Sequence, residues 1–146
     1  MNARWKSGGW VVLSLVLMVV GAFGPWVKVF GLVTIDGTDG GRDGWVVIGA
    51  AAVAALPLVI YAMAHRKWLL VFPVLAGLAG AATAAYDISD ISRLGSGSVF
   101  GGSETFSTGW GIYLALVGSL SLTVASLVLM VRRRAAQPET EIVAAS

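Results

Sequence analysis

The sequence predicts an all-α membrane fold: a four-transmembrane-helix bundle with both termini cytoplasmic and a small extracytoplasmic, β-containing cap. Three observations predict it. Four long apolar runs contain no Lys, Arg, Asp or Glu. The charges fall in clusters between those runs, and the six tryptophans gather at the run boundaries. Composition agrees: 57% of the 146 residues are apolar and 12% charged, against roughly 45–50% and about 25% in soluble domains. With a mean hydropathy of +0.82, a soluble globular fold is excluded.

The first run extends from Trp10 to Gly24 and, with its glycine-rich flank, gives a span of residues 8–24; the others cover 45–64, 68–85 and 110–131. At about 1.5 Å per helical residue the later three reach roughly 27–33 Å, matching a hydrocarbon core of about 30 Å, while the first is marginal. A membrane β-barrel alternates polarity in short segments, which runs such as VVLSLVLMVV do not. The first span also resembles a signal peptide, with Arg4 and Lys6 ahead of it and Gly21-Ala22-Phe23 near a cleavage-like site. Pro25 beside that site favours retention as a signal anchor. Residues 1–134 are then one transmembrane domain, and 135–146, which lack a burial pattern, are expected to be a disordered cytoplasmic tail.

Orientation follows from the basic residues, because cytoplasmic loops near span ends carry the excess of Lys and Arg. Arg4 and Lys6 precede span one, Arg66 and Lys67 join spans two and three, and Arg132, Arg133 and Arg134 follow span four. These seven face only Lys28, Arg42 and Arg93 on the other side, which also holds Asp36, Asp39, Asp43, Asp87, Asp90 and Glu104. The predicted outer face is therefore net negative and the inner face net positive. Trp5, Trp10, Trp26, Trp45, Trp68 and Trp110 fit an interfacial belt in which the ring is buried and the indole N–H stays wet.

Small residues let membrane helices approach closely. Ala50, Ala51, Ala52, Ala54 and Ala55 on span two, and Ala76, Gly77, Gly80, Ala81, Ala84 and Ala85 on span three, predict that these two pack tightly as a hairpin. Pro57 and Pro73 each remove a backbone donor and are candidate kinks. Span four carries Gly118, Ser119, Ser121, Thr123 and Ser126; hydroxyls bonded to their own helix or joining helices explain them more simply than a polar pathway. No ionisable residue lies at depth, where coupled transporters place one.

The two outer segments, residues 25–44 and 86–109, hold the polar chemistry. Trp26 to Asp36 is β-branched and aromatic, and reads as a bent strand or a hairpin turning near Gly31. Asp36 to Gly44 is turn chemistry throughout. Asp87, Asp90 and Arg93 sit at i, i+3 and i+6 as a short helical extension, followed by a Gly/Ser-rich stretch with Phe100 and Phe106, whose strands are expected to pair with Val27 to Ile35. The cap residues expected to meet a partner are Trp26, Lys28, Phe30, Asp39, Arg42, Asp87, Asp90, Arg93, Phe100 and Phe106. Asp36, Asp39 and Asp43 form a weak calcium candidate, since hard cations take carboxylate oxygens on glycine-rich loops; tight turns built by Asx bonding are the competing explanation. With no cysteine and one histidine, most hydrolase and metalloenzyme schemes lack their parts, so no catalytic residue and no cofactor is expected.

Gly24-Pro25-Trp26-Val27, Gly37-Thr38-Asp39-Gly40 with Asp43-Gly44, Tyr86-Asp87 and Gly109-Trp110-Gly111-Ile112-Tyr113-Leu114 together resemble small, uncharacterised four-span membrane proteins of high-GC Gram-positive (actinobacterial) bacteria and their phages. The resemblance covers about Gly21 to Val131 and implies a four-helix envelope protein of the cell membrane, without supplying catalytic residues. The layout is also similar to that of claudin-like proteins, whose paired loop cysteines are absent here. The expected function is a non-enzymatic accessory, scaffolding or assembly component acting through its outer cap. Its expected partners are membrane lipid and a second copy or another envelope protein, and not nucleic acid. A phage holin-like pore or small channel is the alternative, and a membrane enzyme using outer carboxylates the third reading.

Overall fold

The structure, a computed structural model, describes residues 3–29, 33–39, 43–64, 66–96 and 106–135, with the backbone only for 3–8, 67, 94–96, 106 and 132–135. The described residues form four α-helices and one small sheet. Helix α1 (Ala3–Phe23) starts earlier than the apolar run, because nothing between Ala3 and Trp10 breaks a helix outright. It ends where Gly24 donates its N–H to the Val20 carbonyl at 3.0 Å and Pro25 disfavours a helical conformation in the residue before it.

Strands β1 (Pro25–Val29) and β2 (Val33–Asp36) pair antiparallel, with Val27 opposite Ile35, Lys28 opposite Thr34 and Val29 opposite Val33. The hairpin form of the two sequence readings is thus the one adopted; its turn at Gly31 lies outside the described residues. Strand β3 (Phe106–Thr108) joins the other edge of β1, placing Val27 opposite Thr108 and Val29 opposite Phe106. The expected pairing between the two outer segments is therefore present, in the order β2-β1-β3.

Helix α2 (Gly44–Ala64) begins at Asp43, whose carbonyl accepts from Val46 and Val47 at 2.9 and 3.2 Å. A 3-10 turn at Lys67–Leu70 then carries the chain into α3 (Val71–Ser96). Pro73 falls in the first turn of α3, where its missing N–H would have had no helical partner in any case. Helix α3 continues past Tyr86 through Asp87, Asp90 and Arg93, held to the body by buried Ile91 and partly buried Ile88. Helix α4 (Trp110–Ala135) completes the bundle.

The helices pack as neighbours in a ring, α1 beside α2 and α4, and α3 beside α2 and α4. The most extensive interface is α1–α4, followed by α3–α4, and only then the α2–α3 hairpin. The expected α2–α3 hairpin is thus present, and one part of the expectation is corrected: the two glycines of span three serve span four rather than span two. Gly77 and Gly80 face α4: a Cβ on Gly80 would lie 2.7 Å from Ser119 Oγ, and one on Gly77 would lie 2.8 Å from the Ser119 carbonyl oxygen. Helix α2 contributes the buried stripe Val47, Ala51, Ala54 and Tyr61 instead.

Glycines close the α1–α4 seam. A Cβ on Gly118 would lie 2.7 Å from the Met18 nitrogen, one on Gly111 would lie 2.8 Å from the Gly21 carbonyl oxygen, and one on Gly21 would run into the Ala115 backbone. Gly111, Ala115 and Gly118 recur at i, i+4 and i+7 and so lie on one face of α4. Outside this core the large side chains are apolar and exposed, among them Leu56 and Met63 on α2, Leu75 on α3 and Val117 on α4. Three helices among the described residues, Gly44–Ala64, Trp68–Arg93 and Trp110–Val131, are long and apolar enough to cross a membrane; the apolar part of α1, Gly9–Phe23, is shorter.

Candidate functional site

The sheet closes the end of the bundle where α1 and α3 finish and α2 and α4 begin, so the described cap residues sit on strands, on helix ends or on the turn between β2 and α2. Its anchor is Trp26. Sequence reading placed this tryptophan at the surface with a wet indole; it is fully buried, and its Nε1–H donates to the Gly21 carbonyl at 2.9 Å. The reason is a register shift in β1 between Pro25 and Val27. A bulge inserts a residue without a cross-strand partner and re-aims side chains, so consecutive Trp26 and Val27 are both buried.

Three chain segments are tied around that ring by backbone hydrogen bonds. Gly37 N–H donates to the Gly24 carbonyl at 3.2 Å, Gly44 N–H to the Gly37 carbonyl at 3.0 Å, and Gly109 N–H to the Trp26 carbonyl at 2.8 Å. No side chain fits at these glycines: a Cβ would meet the Trp26 ring at Gly37, the Gly37 backbone at Gly44 and the Pro25 carbonyl at Gly109. The Gly-Trp pairs that enter α2 and α4 thus divide their work, with Gly44 against the Gly37 backbone, Gly109 against Pro25 and Trp26, and Trp45 and Trp110 exposed outside. Trp45 Nε1–H also donates to the Thr38 carbonyl at 3.2 Å. Trp10 and Trp68 are exposed as well, so Trp26 departs from the exposed placement that these four share.

The predicted cap residues divide by what the fold does with them. Lys28 stands in the centre of the sheet between Thr34 and Ser107; strand alternation sets it on the face opposite Val27, and it stays partly exposed. Asp90 and Arg93 are exposed on the last turns of α3, and Asp87 is half-buried one turn below. Asp39 works as a turn residue: its Oδ2 accepts the Asp36 N–H at 3.4 Å. Among the described residues no three metal-ligating side chains gather, so Asp36, Asp39 and Asp43 are not brought together as a ligand set. Phe106 opens β3 opposite Val29. Phe30, Arg42 and Phe100 lie outside the described residues, as do residues 136–146 of the expected tail.

Between the helices the polar groups are hydroxyls. Ser14 donates to the Trp10 carbonyl at 2.9 Å and lies 3.0 Å from Ser121 Oγ, joining α1 to α4. Thr123 donates to the Ser119 carbonyl at 3.0 Å. Ser119 and Ser126 are fully buried, and their Oγ atoms have no hydrogen-bond partner among the described residues.

Sequence reasoning missed Gly37 and Gly109 as supports of the cap. Their only sequence signal was glycine in loops whose turn residues already explained it. No protein-family model matches the chain, and comparison with curated proteins finds no match.

Proposed function

We propose that this chain is a four-span integral membrane protein of the cell membrane, both termini cytoplasmic, that acts without enzymatic chemistry through its outer cap. The cap holds a second copy or another envelope protein in a scaffolding or assembly role. The observation that carries this reading is the contrast between the two parts of the molecule. The cap gathers Lys28, Asp39, Asp90 and Arg93 on a surface braced by the Trp26 anchor, whereas the described helix interior offers only apolar groups and hydroxyls.

Four spans are supported over three by the α1–α4 seam. Helix α1 shares the most extensive interface with α4, and an apolar segment of about 15 residues reaches only roughly 23 Å on its own. Packed along α4, its short run is carried through the same depth, with glycine contacts in place of a longer apolar stretch.

The absence of native cysteine makes the test direct. In native membranes, a Lys28→Cys chain treated with a thiol-reactive crosslinker is expected to yield a discrete adduct, either a dimer of this chain or one envelope protein. A Val53→Cys chain, reporting from an exposed position on α2, is expected to yield none. Adducts from Val53→Cys alone would overturn the cap reading.

A second reading, a small pore, is favoured by the buried Ser119 and Ser126 hydroxyls. Against it, Gly77 and Gly80 press directly on that side of α4. Expression that collapses the membrane potential, with relief by Ser119→Leu, would establish the pore instead.

A further inference from the structure

We propose that the end of the bundle opposite the cap is a binding surface for anionic phospholipid, formed by a collar of basic residues from three separate segments. This rests on the four-span reading in one respect, that this end lies at a membrane surface. The α1–α4 register supplies the first observation. Gly21 lies beside Ala115, Met18 beside Gly118 and Ser14 beside Ser121. Carried a further three turns, the same antiparallel register sets Arg4 of α1 level with Arg132 of α4, with Lys6 nearby. The α2–α3 connection supplies the second. Leu69 and Leu70 of the 3-10 turn pack with Tyr61, Leu129 and Met130 in a small core of their own, so Arg66 and Lys67 sit at the same level as Arg132, Arg133 and Arg134.

Seven cations from distant parts of the sequence thus share one end of a bundle only a few helices wide. Among the described residues every carboxylate, Asp36, Asp39, Asp43, Asp87 and Asp90, lies in the cap or on its helical extension. None of these acids shares the collar's end, and the C-terminal segment adds only Glu139 and Glu141 against seven basic residues, so that end keeps a net positive charge whose self-repulsion is screened only over a Debye length of about 8–10 Å. A row of phosphodiesters at the headgroup level relieves that repulsion, and arginine's planar fork suits phosphate oxygens. Trp68 marks the depth. It is exposed and meets Phe72 edge-on, with ring centroids 5.8 Å apart, the position in which an amphipathic ring settles at headgroups.

The test uses the full chain purified in uncharged detergent micelles, with thermal unfolding followed as phosphatidylglycerol or phosphatidylcholine is titrated in. Phosphatidylglycerol is expected to raise the midpoint in low salt and lose that effect in high salt, while phosphatidylcholine does not raise it. Replacing Arg66, Arg132, Arg133 and Arg134 singly by Gln is expected to weaken the phosphatidylglycerol response about fivefold per site, whereas Lys at 132, 133 and 134 retains most of it. Equal responses to the two lipids, an unaltered response in the Gln variants, or the same stabilisation by inorganic phosphate alone would overturn the proposal. Orientation is read separately: labelling of a Ser146→Cys chain from outside intact cells would overturn the cytoplasmic placement of the C-terminus and leave the micelle titration standing.

Discussion

The α1–α4 seam and the α2–α3 hairpin draw on the same vocabulary of glycine and alanine, yet they pack differently. The hairpin partners are adjacent in sequence, joined by a connection too short to let them part, and rich in alanine. Their contact is nevertheless the less extensive. The seam joins the first and last helices and is closed by Gly21, Gly111 and Gly118, each in van der Waals contact with opposing backbone. In a bilayer, lipid competes on equal terms for apolar surface, so close backbone approach decides which helices adhere. Chain adjacency brings two helices near each other; glycine facing backbone makes them pack closely.

Trp26→Ala is expected to do the most damage. It removes the anchor of the cap and the bond to the Gly21 carbonyl, at a cost of about 3–5 kcal/mol, read as the shift in equilibrium unfolding in mixed detergent micelles. Gly21→Ala tests the seam directly. Its new methyl group meets the Ala115 backbone, and a loss of about 1–3 kcal/mol is expected; an unchanged midpoint would mean that the α1–α4 contact is looser than the glycines imply. Gly49→Ala on α2 is the matched control. Beyond its own helical turn no atom lies within 4 Å of its added Cβ, so helix propensity alone predicts stabilisation of up to about 1 kcal/mol. Opposite signs for these two identical substitutions would sharpen the contrast between the regions, and equal signs would break it.

The hydroxyls give the smallest effects. Ser14→Ala removes a link between α1 and α4, and a loss near 0.6 kcal/mol is expected, the average for hydrogen bonds of this kind in a bilayer. Ser119→Ala removes a hydroxyl without a partner among the described residues, and stability should change by less than about 0.5 kcal/mol or rise slightly.

Much of the fold was legible in the residues. Uncharged runs located the helices, β-branched residues after Pro25 located the hairpin, and the i, i+3, i+6 spacing of Asp87, Asp90 and Arg93 foretold the extension of α3. The candidate site was less legible. Trp26 looked like the other boundary tryptophans because burial depends on a bulge, and a bulge is a property of register between strands. The calcium candidate of Asp36, Asp39 and Asp43 could not be separated from turn chemistry by spacing, because an Asp that accepts a neighbouring N–H and one that faces a cation occupy the same glycine-rich loop.

By itself, then, the sequence determined which segments are apolar helix, which are strand and turn, and that the charges gather between the apolar runs. These follow from local periodicity and solvation, to which each residue contributes independently. Only the tertiary structure decided that the first and last helices form the closest pair, that the glycines of α3 serve α4, and that Trp26 becomes an anchor while Trp10, Trp45, Trp68 and Trp110 stay exposed. Those outcomes depend on which small residue meets which backbone across the bundle, and contact between distant segments is set by the packing of all the helices together.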